Sequence, residues 1–162
     1  SLDSSKLNNV IDLDYLSFVK LLFKTGCYND LQSREIILYR SLQQNSSRIF
    51  CYILKKCSDI DINNSILFDE NILFKSIRLK KLEFMVSILD NSKIDVNALN
   101  YNNLKPIEVA LIEYKNANTK KDRKERRIIF DTLSEFPDVD MTVDSQVDLY
   151  KIYKIFEVVG ES

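Results

Sequence analysis

Histidine is absent from these 162 residues, and with it every Ser-His or Cys-His pair and every imidazole metal ligand. Only two glycines and two prolines occur: Gly26, Gly160, Pro106 and Pro137. Two glycines cannot build a glycine-rich phosphate loop. The same scarcity disfavours a turn-rich all-β chain and suits helices. The three cysteines, Cys27, Cys51 and Cys57, are odd in number and lack CxxC spacing. Reduced thiols are therefore expected, rather than a disulfide framework or a zinc site. No apolar run reaches the ~18 residues that span a bilayer. No basic-then-apolar start marks a signal peptide. The formal net charge of −1 gives no whole-chain pull towards nucleic acid or anionic lipid. These absences predict a protein of a reducing compartment, cytoplasmic or nuclear, without enzymatic activity, cofactor, metal or membrane partner.

What is present is a repeated pattern. Hydrophobic residues make up 45% and charged residues 29%, a balance that suits a folded core. The stretch from Asn71 to Ala98 reads as two short apolar helices followed by Ile94-Asp95-Val96-Asn97. Its opening, Ile72 to Ile77, matches Ile37 to Leu42 at an offset of 35 and Pro106 to Leu111 at an offset of 34. Its closing phrase recurs as Ile60-Asp61-Ile62-Asn63 and Val139-Asp140-Met141-Thr142. The aspartate steps are 34 (61 to 95) and 45 (95 to 140). A period in the thirties with two helices per unit is the signature of a solenoid. We expect an all-α fold.

The apolar spacing predicts helix pairs at 34–44 and 47–57, 70–79 and 81–90, and 106–115 and 121–136. Before them, 1–13 reads as a short or irregular helix, and 14–25 as a helix stopped by Gly26. Residues 26–33 read as a polar connection, and 146–158 as a last helix covering the open end. The inward faces would be Ile37, Leu38, Ser41 and Leu42; Phe50, Ile53 and Leu54; and Leu73, Ser76, Ile77, Leu82, Val86, Ile88 and Leu89. Small Ser41, Ser76 and Ala110 fall at one equivalent position, where two helix axes must approach closely. The 45-residue step is explained by about ten extra residues near 115–127, between the third pair of helices or at the start of its second.

The middle segment resembles an ankyrin repeat. The tail Leu82-Glu83 through Asp95-Val96-Asn97-Ala98 matches that family's pattern, and Lys105-Pro106-Ile107-Glu108-Val109-Ala110 matches its Thr-Pro-Leu-His-x-Ala turn more loosely. The likeness covers 34–142; the family's Thr-Pro is missing from the first two units and its His from all three. A generic helical repeat such as TPR or HEAT is the rival, and the Asp-Val-Asn phrase favours ankyrin. The resemblance implies an ankyrin-like helical-repeat solenoid of about three to four irregular repeats. Its parts would be a divergent N-terminal cap repeat (1–33), repeats at 34–63, 64–97 and 98–142, and a C-terminal capping helix (143–162). It also implies a protein-protein interaction module, with a protein partner and no small-molecule substrate. The alternative is a structural or regulatory domain docked against another part of a larger protein.

Three features carry candidate chemistry. Asp61, Asp95 and Asp140 could act as acids or bases, but their equivalent placement predicts hydrogen bonds to turn backbone. The basic run 115–127 (Lys115, Lys120, Lys121, Arg123, Lys124, Arg126, Arg127) could meet nucleic-acid phosphates. Its admixture of Asp122 and Glu125, with no aromatics between, suits a solvated helix extension better. Last is the partner-binding strip. In the ankyrin arrangement the outward side of each first helix lines a concave face. Counting from Leu38, Leu73 and Ile107 places Arg40 and Gln43, Lys75 and Arg78, and Val109 and Ile112 there, with Tyr101 in the neighbouring finger. Ordinary solvated surface for the cations, and burial of the apolar pair under 115–127, is the competing reading.

Overall fold

The computed structural model describes residues 4–143 and 147–148. Eight helices lie among them: α1 (Ser4–Asp12), α2 (Leu16–Lys24), α3 (Leu31–Gln43), α4 (Ser47–Lys56), α5 (Ile72–Arg78), α6 (Leu82–Leu89), α7 (Pro106–Lys115) and α8 (Lys120–Ser134). A two-residue antiparallel ladder, β1 (Thr142–Val143) and β2 (Val147–Asp148), pairs Thr142 with Asp148. Nearly all the regular secondary structure of the described part is therefore helical, as the scarcity of glycine and proline predicts.

The ladder corrects one expectation. Val147–Asp148 belong to a strand pair, not to the last helix expected from 146; the remainder of that segment lies outside the described residues. A second correction concerns α3, which begins at Leu31 and consumes part of the expected connection. Asp30 is the reason: its carboxylate accepts from the Ser33 amide at 2.9 Å, supplying a partner for a free N–H of the first turn.

The chain divides into two compact units. One holds the described residues through Ile72 and adds Glu83–Ile94; the other takes Leu73–Leu82 and the described residues from Asp95 onward. In the first, α3 packs against α4 and α1, while α2 packs against α1 and α4. Phe50 and Phe84 meet edge to face there, with centroids 4.9 Å apart. In the second, α7 packs against α8 around Phe130 and Leu133. The small residues Ser41, Ser76 and Ala110 are all buried, as their equivalence predicts. Ser41 and Ser76 each return a hydroxyl bond of 2.7 Å to a carbonyl three residues back, so neither hydroxyl is orphaned. On α6 the buried set is Phe84, Met85, Ile88 and Leu89; Leu82 and Val86 are only half-buried.

Four of the turns that close a helix share one geometry. After α1, α3 and α5 a residue adopts left-handed φ: Asp14 at 53°, Asn45 at 58° and Lys80 at 55°. The next amide reaches back five residues: Tyr15 to Val10 (3.1 Å), Ser46 to Ser41 (2.8 Å) and Lys81 to Ser76 (2.9 Å). This is the Schellman motif, which ties off carbonyls left open at a helix end. Its favoured residue is glycine, which among the described residues occupies the position only at Gly26, after α2, where the Cys27 amide reaches Leu22 at 2.8 Å. The α7–α8 connection is different: residues 116–119 intervene, and the Thr119 hydroxyl caps α8 by accepting from the Asp122 amide at 3.0 Å. The extra residues of the third pair thus sit in this loop and in the first turns of α8.

Candidate interaction surfaces

The three repeated aspartates all make the same turn. Asp61 accepts from the Asn63 amide (2.9 Å), Asp95 from Asn97 (3.0 Å) and Asp140 from Thr142 (2.9 Å). The asparagines then extend the pattern. Asn63 donates its side-chain amide to the Lys93 carbonyl, and Asn97 to that of Asp138, both at 2.8 Å. Each acceptor lies two residues before the next repeated aspartate. Asp140 returns a bond to Asn97 Oδ1 at 2.8 Å. These carboxylates are engaged in turn geometry. Hydrogen bonds from the Thr142 hydroxyl and amide and from Lys105 hold the Asp140 carboxyl at about 2, and the Asn64 side chain lowers that of Asp61.

Part of the basic run is likewise engaged with acids. Arg126 is buried and donates to the Ile77 and Arg78 carbonyls at 2.7 and 2.9 Å, at the C-terminal end of α5 where a cation suits the helix dipole. It also pairs with Glu113 at 3.3 Å. Lys80 reaches Asp122 and Glu125 at 2.8 Å each, and those contacts raise the lysine and lower both carboxyls. Arg127 lies 3.9 Å from Asp131. The first half of α8 is therefore a mixed-charge surface, with one cation turned inward to close another helix.

The residues expected to line a binding strip have separate fates. Arg40 is held by a two-pronged pair with Asp12, both contacts at 3.0 Å, while Gln43 is exposed. Lys75 is half-buried, and Arg78 pairs with Glu113 at 3.1 Å. Ile112 is exposed beside that pair on α7. Val109 contradicts its assignment. It is 2% exposed and belongs to the core of α7, so no partner can reach it. The helical count was off there because α7 buries nearly its whole circumference: Ile107, Val109, Ala110, Leu111 and Tyr114 are all buried.

Tyr101 is 72% exposed, and Leu99 beside it is also exposed. Their backbone is fixed. The side-chain oxygen of buried Asn100 accepts from the Asn102 and Leu104 amides at 2.9 and 3.0 Å, its backbone N–H donates to the Leu104 carbonyl at 3.0 Å, and Asn103 takes left-handed φ. No family model, curated protein or solved structure matches this chain. The site is therefore read from its own geometry.

That geometry includes a second loop. Ser65 lies 35 residues before Asn100, and its hydroxyl accepts from the Leu67 and Phe68 amides at 3.2 and 2.7 Å. Glu35, on α3 and 2% exposed, accepts from the Ile66 amide at 3.0 Å, the Leu67 amide at 3.2 Å and the Ser65 hydroxyl. Phe68 stacks on Tyr39 with centroids 4.1 Å apart, and the Tyr39 hydroxyl donates to the Glu70 carbonyl at 2.8 Å. Burial pushes that phenol far up. The missed signal was the apolar triplet Ile66-Leu67-Phe68 inside an otherwise polar segment.

The first unit also holds a cavity of about 530 Å³, lined by Cys51, Leu54, Cys57, Ile60, Ile62 and Lys93 among others. Cys57 is buried, which raises its thiol; Cys51 is half-buried and Cys27 exposed. Among the described residues no group of three or more Cys, Asp or Glu side chains could hold a metal ion. No helix among them is long and apolar enough to cross a membrane.

Proposed function

We propose that this protein is a non-enzymatic interaction module, an ankyrin-like helical repeat that binds a protein partner. The observation that carries this reading is Tyr101. A large amphipathic ring is held in water on a turn whose backbone hydrogen bonds are already made. Such a side chain gives up little conformational freedom on binding, and tyrosine is among the residues that dominate binding energy at interfaces. Leu99, Ile112 and the Arg78–Glu113 pair supply the apolar and charged groups for the rest of the contact. The regular Asx turns and asparagine bonds support the repeat character, because equivalent residues meet equivalent partners. An extended surface of this kind creates contact area without catalytic geometry.

The test is a pull-down with the wild type, Tyr101→Asp, and Lys75→Glu combined with Arg78→Glu, each checked for unchanged helicity. Proteins recovered by the wild type should be lost with Tyr101→Asp and weakened by the charge reversal. Equal recovery by all three would place the interface elsewhere.

A further inference from the structure

Ile66, Leu67 and Phe68 are 57%, 42% and 37% exposed, three consecutive large apolar side chains in water. Phe68 leans on buried Tyr39, but Ile66 and Leu67 are left in water, which is unfavourable for solubility and calls for a functional reason. It is not a slack loop. A buried carboxylate, Glu35, is committed to the Ile66 and Leu67 amides, and Ser65 closes the turn from inside. Burying a carboxylate costs free energy that only such amide bonds offset. The arrangement spends stability to hold an apolar tip in one shape, which lowers the ordering cost of binding.

The charge around the tip selects among occupants. From Asn64 to Asn71 the chain reads Asn-Ser-Ile-Leu-Phe-Asp-Glu-Asn, with no cation, and Asp69 is exposed directly after the triplet. Acidic groups beside an apolar tip are repelled by anionic lipid headgroups, which rules against insertion into such a membrane. They complement a protein surface of the opposite sign. We infer that the 65–70 loop docks into an apolar cleft edged by lysine or arginine on a protein partner, Leu67 and Ile66 entering the cleft and Asp69 meeting its rim. This rests on the reading of the protein as an interaction module and adds a contact separate from Tyr101.

The experiment places the photo-cross-linker benzoylphenylalanine at Leu67, at Tyr101, and at exposed Leu21 on α2 as a control, in cells that make the protein. Adducts are mapped to the residue by mass spectrometry, and the mapped partner is purified and titrated. The expected result is an adduct at Leu67, absent at Leu21, on an apolar cleft bordered by cations. Leu67→Asp should then weaken binding roughly tenfold or more. Asp69→Lys should slow association and flatten its dependence on salt. An adduct to lipid, to a second copy of this chain or to a cleft without cations would overturn the inference, as would the same adducts at Leu67 and Leu21. Adducts at Tyr101 with none at Leu67 would end this inference and leave the proposed function standing. Silence at both positions would remove both.

Discussion

The loops at 65–70 and 100–104 fall between the same two landmarks of successive repeats, and both display apolar side chains, yet they are built from different resources. The later one is local. Asn100 makes its own turn, accepting from two amides within four residues. The earlier one borrows: its shape depends on Glu35, about thirty residues upstream on another element. A local turn survives changes elsewhere in its unit. A borrowed one is only as firm as the helix that lends the carboxylate. Two repeats can thus keep the position of a loop while exchanging the chemistry that fixes it.

The sharpest way to break the comparison is Glu35→Ala. Removing a charge-assisted acceptor from partly buried amides should cost about 2–3 kcal/mol in urea unfolding. The Ile66 and Leu67 amides should lose hydrogen-exchange protection while Asn102 and Leu104 keep theirs. A loss under about 1 kcal/mol would mean the loop is self-supporting. Next is Asn45→Val, which forces a β-branched side chain into left-handed φ and should cost about 1–2 kcal/mol; Asn45→Gly should be near neutral. Asn100→Ala should cost about 1 kcal/mol, the scale of an ordinary hydrogen bond, with faster exchange confined to its own turn. The smallest expected effect concerns pH. The Asp140 carboxyl is held at about 2, below the ~3.9 of an unfolded aspartate. Its stabilisation is therefore complete above about pH 4 and is lost as pH falls towards about 2. Asp140→Asn should flatten that limb of an acid titration, read by circular dichroism, and leave the curve between about pH 5 and 8 unchanged.

Much of this was readable in the residues because the relevant interactions are close in sequence. Helix existence followed from apolar spacing, and Gly26 marked the end of α2. The aspartates betrayed their role by falling at one place in each repeat, two residues before the amide they accept from. The Asp30 cap was also readable, as an aspartate three residues before Ser33, yet α3 was expected to start later. What could not be read depends on partners distant along the chain. Nothing in the sequence around Glu35 says that it turns inward to two loop amides, since an isolated glutamate on a helix is ordinarily solvated. Val109 was assigned to the surface by counting along one face, which fails on a helix buried almost all round. Arg126 looked like one more cation in a basic run, and only its contact with the Ile77 and Arg78 carbonyls sets it apart.

The bonds from Asn63 to Lys93 and from Asn97 to Asp138 have a consequence for how such a chain can change length. Each asparagine reaches the carbonyl two residues before the next aspartate, although the aspartates are 34 apart in one case and 45 in the other. The extra residues are taken up at 116–119 and in α8, away from the joint itself. The joint thus works as a splice that does not measure what lies between its ends. Insertions in the gene at this point leave the downstream turn in frame with its neighbour, and a foreign peptide grafted between Asn118 and Thr119 would meet the same tolerance.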